Sequence, residues 1–479
     1  MSVTIGNMIG LGFVGAILRK LCFVAALLIT TSCATAPERS AANTYGVLPD
    51  HWEGAKPSSV QISNRWVASF ADPALSTLVN AALNNNFDLK AAAARVDAAR
   101  EKSVIAGAGR WPQLGFAAGY LHTGSGAGVH DNNLGNTNSS GFDALFTLSW
   151  EIDVWGRIKA SQQATQKDAE AVSADLNGAR LSLAARTAQS YFEFIEANLQ
   201  TGVAEQSIKD RRTIVELVRG RFTRGLTRGL DLRLALTDLA NAEAQLAQSR
   251  NQVQIVARRL EILLGRYPSD PKDAHIGSLR VLPQPPAALS AGLPSQLLER
   301  RPDMVAALSR LRAMDSRVES ARKALLPRIA LTASGGASSA ALSDLIDPRA
   351  AAWNLATGLV QPIFTGGRLK GEIRLNEALT QEALNQYRST ALNAFREVEQ
   401  ALAAEQWLRA QELALLEAME QTEASRKMAV TSYQQGLIEI LTLLDSYRST
   451  LNAQSSHLTV QRELLSNRID LYLALGGGV

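Results

Sequence analysis

The chain repeats itself, and that restricts its possible folds more than any other feature. Shifted by 211 residues, Gly156, Arg157, Ile158 and Lys159 fall on Gly367, Arg368, Leu369 and Lys370, and the register still holds where Leu264 and Gly265 meet Leu475 and Gly476. Upstream the offset is 215, pairing Asp88, Arg95 and Pro112 with Asp303, Arg310 and Pro327, so the first copy carries four extra residues before Gly156. The copies span 88–265 and 303–475. Solenoid repeats run to roughly 20 to 50 residues, so this is a duplicated domain.

Arg266 to Pro302 separates the copies with seven prolines, which donate no backbone hydrogen bond and interrupt helix and sheet alike. It reads as a linker holding short ordered pieces. Glu372 to Gln435, in contrast, is 64 residues without Gly or Pro, rich in helix-favouring Ala, Leu, Glu, Gln and Arg. One helix of that length runs to about 96 Å. Gly436 ends it, and Leu437 to Leu475 gives a return helix closed by Gly476, Gly477 and Gly478, with residues 476–479 as a tail. The first copy follows the same plan with Arg157 to Arg224, Gly225, and Leu226 to Leu264. Shorter helices over Asp88 to Ala108 and Asp303 to Lys323 open the copies, and short plus return helix nearly equal the long one, about 60 residues against 64. Helices this long bury their apolar stripes against neighbours as coiled coils.

A structural coiled coil explains the helices but not what precedes them. Phe142, Ala144, Phe146, Leu148, Trp150 and Ile152 occupy alternate positions, as do Leu114, Phe116, Ala118 and Tyr120. In the second copy Ile329, Leu331 and Ala333 alternate, then Trp353, Leu355, Leu359 and Ile363. Period two is the strand signal, so hairpins are expected over 112–153 and 327–364. Strands of about 9 to 12 residues with one apolar face suit a tilted crossing of a membrane; a soluble sheet packed on the helices is the alternative. Thr123 to Gly141 and Gly335 to Arg349 read as surface loops. The Gly124, Gly126, Gly128 spacing lacks the strand and helix that a phosphate cradle needs. Four strands cannot close a barrel, and an open edge in lipid strands backbone groups at several kcal/mol each, so other subunits must complete the ring. Two, three or four chains all give an even strand count.

The chain begins as an exported protein does. Arg19 and Lys20 precede the apolar run from Leu21 to Ile29 and the small residues Thr30, Thr31 and Ser32, an order that marks residues 1–32 as a signal peptide. Nine apolar residues fall short of the roughly 20 of a spanning helix. Cys33 after small residues resembles a lipoprotein processing site, with Thr30 where Leu is usual; acylation at Cys33 is expected, with cleavage nearby as the alternative. Residues 33–87 would then form a lipid-attached extended segment.

Composition removes other classes. Lys and Arg number 49 against 45 Asp and Glu, with no basic run longer than two, so nucleic acid is not expected as a partner. Two cysteines and five scattered histidines supply neither a disulfide framework nor a metal site. No nucleophile, base and acid set or cofactor fingerprint points to an enzyme.

From Trp66, Phe70, Asp72, Pro73 and Leu75, through Arg300, Arg301, Pro302 and Asp303, then Pro362, Ile363, Phe364, Gly366, Gly367 and Arg368, to Leu475, Gly476 and Gly477, the chain resembles the TolC/OprM family of outer-membrane efflux channels, its lipoprotein subgroup in particular. The resemblance covers about nine tenths of the chain. It implies a homotrimer in the outer membrane: a twelve-stranded barrel, four strands per chain, continued by a periplasmic α-helical barrel. The implied role is a passive exit duct for drugs or other small toxic compounds, working with a periplasmic membrane-fusion adaptor and an inner-membrane transporter of the RND or ABC type. The same architecture also serves type I protein secretion, the alternative reading.

The resemblance places a gate at the far helix tips. Gly225 and Leu226, with Gly436 and Leu437, mark the turns and the expected adaptor contact. Asp231 and Tyr433 match an aspartate and a tyrosine that hydrogen-bond between helices and hold the aperture shut. Ile438 replaces an arginine of that set, leaving Arg224 or Arg228 to substitute. Asp445 matches one of two constriction aspartates, Thr442 replacing the other, and three copies would form a carboxylate ring favouring cations. The plainer reading of Asp445 is a helix-face carboxylate paired with Arg448. Trp150, Trp155 and Trp353 suit an interfacial belt or a core equally well.

Overall fold

A computed structural model of the chain describes residues 35–45, 50–53, 66–125, 137–269, 281–286 and 293–478. In order these form α1 (Ala41–Tyr45), a 3-10 turn (Trp66–Phe70), α2 (Pro73–Asn85), α3 (Phe87–Ala108), β1 (Gln113–Ser125), β2 (Thr137–Ile152), α4 (Arg157–Thr223) and α5 (Gly229–Leu263). Then come α6 (Pro294–Arg300), α7 (Pro302–Lys323), β3 (Arg328–Ser339), β4 (Ala351–Val360), α8 (Arg368–Gln434) and α9 (Ile440–Ala474). The two copies match element for element: α3 and α7 have 22 residues each, α4 and α8 have 67, and α5 and α9 have 35.

The chain separates into two compact units that cut across the duplication. One holds the described parts of Ala98–Glu170 and Ser309–Asn385 together with residues 35–39; the other holds the described parts of Ser40–Asp97, Ala171–Leu308 and Gln386–Val479.

The first unit contains the sheet. Its strands run in the order β1-β2-β3-β4, all antiparallel, so the two expected hairpins merge into one sheet through β2 and β3. Gly336 permits the merger: a Cβ there would stand 2.0 Å from the Ala144 carbonyl oxygen. The expected loop from Gly335 to Arg349 is shorter than the composition suggests, because Gly335 to Ser339 pair with Phe146 to Phe142 and extend β3. The rest forms 3-10 turns at Leu342–Ile346 and Pro348–Ala350. β4, in turn, stops at Val360. Pro362 has no N–H to donate, and Ile363, expected within the strand, is 95% exposed beyond it.

In the second unit the largest buried cluster is mainly aliphatic and holds a group of aromatic rings. Trp66 stacks on Tyr472, and Phe70 packs against Phe192 and Tyr472. Residues 33–87 are not simply extended. Asp72 accepts from the backbone of Ala74 at 2.9 Å, Pro73 opens the helix, and Leu75, Leu78, Val79 and Ala82 bury one stripe of α2. The return helices begin at Gly229 and Ile440, three residues later than the sequence predicts, because the turn needs those residues. Gly225 and Gly436 take φ of +74° and +75°, and the next amide reaches back to Arg221 O and Ser432 O, each at 2.9 Å. Gly265 and Gly476 close α5 and α9 in the same way.

Candidate functional site: the sheet faces and the helix tips

Residues directly opposite on neighbouring strands project to the same face, so the register identifies both faces of the sheet. Leu114 lies beside Leu148, Ala333 and Leu355 in one row; Phe116, Phe146, Gly335 and Trp353 form the next. Trp150, Leu331 and Thr357, then Ile152, Ile329 and Leu359, continue the same face toward the helices. The opposite face carries Gly115, Thr147, Ser334 and Asn354 in one row and Ala117, Leu145, Gly336 and Ala352 in another. One face is thus apolar across four strands and the other small or polar apart from Leu145 and Leu121, the division a wall between lipid and water requires. Trp150 and Trp155 donate their indole N–H to Arg110 O at 2.9 Å and Pro327 O at 2.7 Å, while Trp353 is 82% exposed. Among the described residues no helix is long and apolar enough to cross a membrane.

The tips form a second apolar cluster in the other unit, with Val215, Val218, Ala235, Tyr433, Ile440 and Leu443 at its centre. The expected hydrogen bond between Asp231 and Tyr433 is absent. The Asp231 carboxylate instead accepts from the Thr227 hydroxyl and, at 3.3 Å, from the Arg228 amide, a capping arrangement at the start of α5. The Tyr433 hydroxyl is buried near Thr227 without a hydrogen bond of acceptable geometry. Burial pushes its pKa above the ordinary tyrosine value; Thr227 and Arg221 oppose that, and Asp231 adds to it.

The cation that the structure brings to Tyr433 is Arg221, not Arg224 or Arg228. Arg224 spends its Nε on its own helix at Gly220 O, and Arg228 has no carboxylate partner among the described residues. Arg221, at the end of α4, stands 5.1 Å over the Tyr433 ring and donates to Tyr433 O and Gln434 O at 3.1 Å each. It therefore ties the last carbonyls of α8 to the end of α4.

Asp445 is exposed and does not pair with Arg448. Arg448 turns instead to Asp238, contacting one oxygen at 3.1 Å through Nε and Nη2, and Arg211 approaches the other oxygen at 2.8 Å. Asp238 and Arg211 are almost fully buried, so this pair links α4 to α5 out of water, and the half-exposed Arg448 adds α9. Arg426 holds Glu423 at 2.6 Å and covers the Tyr447 ring at 5.1 Å. Sequence reasoning missed Arg221, Arg211 and Asp238. The signal was mismatch between the copies: Arg221, Arg211 and Asp238 fall on Ser432, Thr422 and Ser449, charge against neutral at otherwise aligned positions.

Cys33 and residues 1–32 lie outside the described residues. Close behind them the chain is tied down: the Ala36 amide donates to Glu319 at 3.0 Å, and Arg39 grips Asp315 in a two-pronged ion pair. Among the described residues no group of His, Cys, Asp and Glu could hold a metal ion.

Known proteins share this plan. The chain is 32% identical over 467 residues to the pyoverdine export outer membrane protein OpmQ of Pseudomonas putida, covering 96% of this chain and 97% of that one. It is 33% identical over 470 residues to the outer membrane protein OprJ of Pseudomonas aeruginosa, again covering 96% and 97%. To the cation efflux system protein CusC of Escherichia coli it is 30% identical, covering 86% and 88%. Among solved structures it superposes on the outer-membrane channel OprN with a TM-score of 0.85 at 27% identity, over 93% of this chain and 99% of that one. On the open state of the Neisseria gonorrhoeae MtrE channel the TM-score is 0.82 at 27% identity, covering 93% and 98%. These relatives are channels, and nothing in the likeness points to an enzyme. The outer membrane efflux protein model matches residues 78–266 and again 293–477; with a sheet divided into apolar and polar faces and long paired helices, the chain belongs to that family and is an outer-membrane efflux channel with a large periplasmic portion.

Proposed function

We propose that three copies of this chain close one twelve-stranded barrel and form a passive, tip-gated exit duct. The observation that carries this is the four-stranded sheet with one continuous apolar face and unpaired outer edges on β1 and β4, which lipid does not tolerate. The duplication adds support. Leu181 on α4 is 5% exposed, but its counterpart Leu392 on α8 is 59% exposed; Leu217 is partly buried while its counterpart Met428 is 71% exposed. Trp407 and Leu413, also on α8, are 69% and 68% exposed. A neighbouring chain would cover α8 as the second copy covers α4.

In this reading Arg221, Tyr433 and the Asp231 cap hold the tip closed. Asp445, free of any ion pair among the described residues, contributes one carboxylate per chain to a ring that favours cations. The turns at Gly225, Leu226, Gly436 and Leu437 receive a periplasmic adaptor, which joins the duct to an inner-membrane RND-type or ABC-type transporter. Cys33 carries lipid in the outer membrane, and the Arg39–Asp315 pair fixes the chain behind it. The cargo is a small compound; relatives are named for pyoverdine, toluene and cations, so similar ducts serve chemically unrelated solutes.

Planar-bilayer recording tests the reading. Purified protein should insert as a trimer by native mass spectrometry and conduct rarely, and Asp445→Asn should lower cation over anion preference once the tip is opened. A monomeric, non-conducting protein would refute it.

A further inference from the structure

The two tips of each chain are aligned by the duplication yet differ in charge. Over 219–233 the first tip carries five arginines and one aspartate, a net +4; the matching 430–444 carries one glutamate, a net −1. Arg219, Arg224, Arg228 and Arg233 are exposed, and none forms an ion pair among the described residues. Asp231, the only carboxylate in the segment, is taken up by Thr227 and the Arg228 amide. Glu216, one turn up α4, is exposed and forms no ion pair with them. Arg221 is spent internally, on the Tyr433 ring and two carbonyls, and Arg224 gives its Nε to Gly220 O while keeping no carboxylate partner among the described residues. Apolar exposure, in contrast, is shared between the tips: Leu226 is 60% and Leu230 63% exposed on the first, Leu437 72% and Leu441 55% on the second.

Four guanidiniums without a carboxylate partner on one hairpin repel one another, so their natural counterpart is external negative charge. We propose that the two tips recognise different surfaces of the docking partner: the first tip binds an acidic surface of the adaptor, and the second an uncharged apolar one. This rests on the reading that the tips are the adaptor contact. An anionic bilayer would also attract arginines, but it would meet both tips alike, and the charge is confined to one. The exposed leucines on both tips supply contact area, while the arginines decide orientation and which of the two tips each adaptor surface takes.

The test uses the full-length protein in lipid nanodiscs and two synthetic helical-hairpin peptides with identical leucine-bearing tips, differing only in four flanking positions that are Glu in one and Lys in the other. Biolayer interferometry at 50 mM NaCl should show the Glu hairpin binding roughly tenfold tighter than the Lys hairpin, with the difference shrinking at 300 mM as screening shortens. Reversal of all four, R219E, R224E, R228E and R233E, should invert the preference; the milder pair R224Q and R228Q, checked by circular dichroism, should reduce it. Equal binding of the two hairpins, or a preference that survives reversal, overturns the proposal. So does capture of phosphatidylglycerol vesicles with neither hairpin bound. Leu226→Asp and Leu437→Asp separate the two levels: if they leave hairpin binding untouched, the tips are not the docking site at all. If they abolish it while the arginine variants do nothing, only the charge assignment fails.

Discussion

Arg221 shows how one side chain joins two helix ends at contacts that spacing does not report. Its guanidinium stacks on Tyr433 and caps two carbonyls of α8, contacts together worth about 1 to 3 kcal/mol. Arg221→Ala should raise the open probability of the channel in planar bilayers and speed amide exchange over 431–437. In the proposed gate Tyr433 acts through its ring, so Tyr433→Phe should leave the channel closed and Tyr433→Ala should open it. The hydroxyl adds a pH signature. Because its pKa is raised on folding, its contribution is full below the unfolded value of about 10 and is lost as pH climbs through the higher folded value. Wild type and Tyr433→Phe should therefore match in stability at neutral pH and diverge only in alkali, wild type losing more.

Asp238 is the other sensitive residue. Asp238→Asn leaves Arg211 buried beside a neutral amide and should cost about 3 to 5 kcal/mol, seen as a lower thermal midpoint of the helical signal. Arg448→Ala touches the exposed end of the same network and should cost less than about 1 kcal/mol.

At the scale of elements, the same closing turn recurs at four helix ends, but its glycines are not equally replaceable. Gly225 has open space around a would-be Cβ, so Gly225→Ala meets only the left-handed backbone, about 1 to 2 kcal/mol. At Gly265 the same Cβ would sit 2.6 Å from the Asn85 carbonyl oxygen, and chain must move. Urea midpoints should fall clearly further for Gly265→Ala than for Gly225→Ala. Element lengths were legible because 67-residue helices are bounded by glycines. The entry to the return helices was not, since Leu226, Thr227 and Arg228 are compatible with helix and only the backbone path out of Gly225 takes them from it.

At the scale of the whole molecule, the proposed trimer covers the exposed apolar side chains of α8 with a neighbouring chain. Trp407→Glu buries a charge in that contact and should shift trimer toward monomer in native mass spectrometry, with the helical content of each chain retained.

Duplication, helix length, strand alternation and the glycine turns are local or periodic properties, and the amino-acid order alone determined them. The joining of β2 to β3 was decided by tertiary structure, because it needs a close backbone approach at Gly336 that no period reports. The partners of Asp231, Arg221 and Asp238 were decided there too. Each had several candidates at plausible spacing, and only the packing of α4, α5, α8 and α9 selects which cation reaches which acceptor.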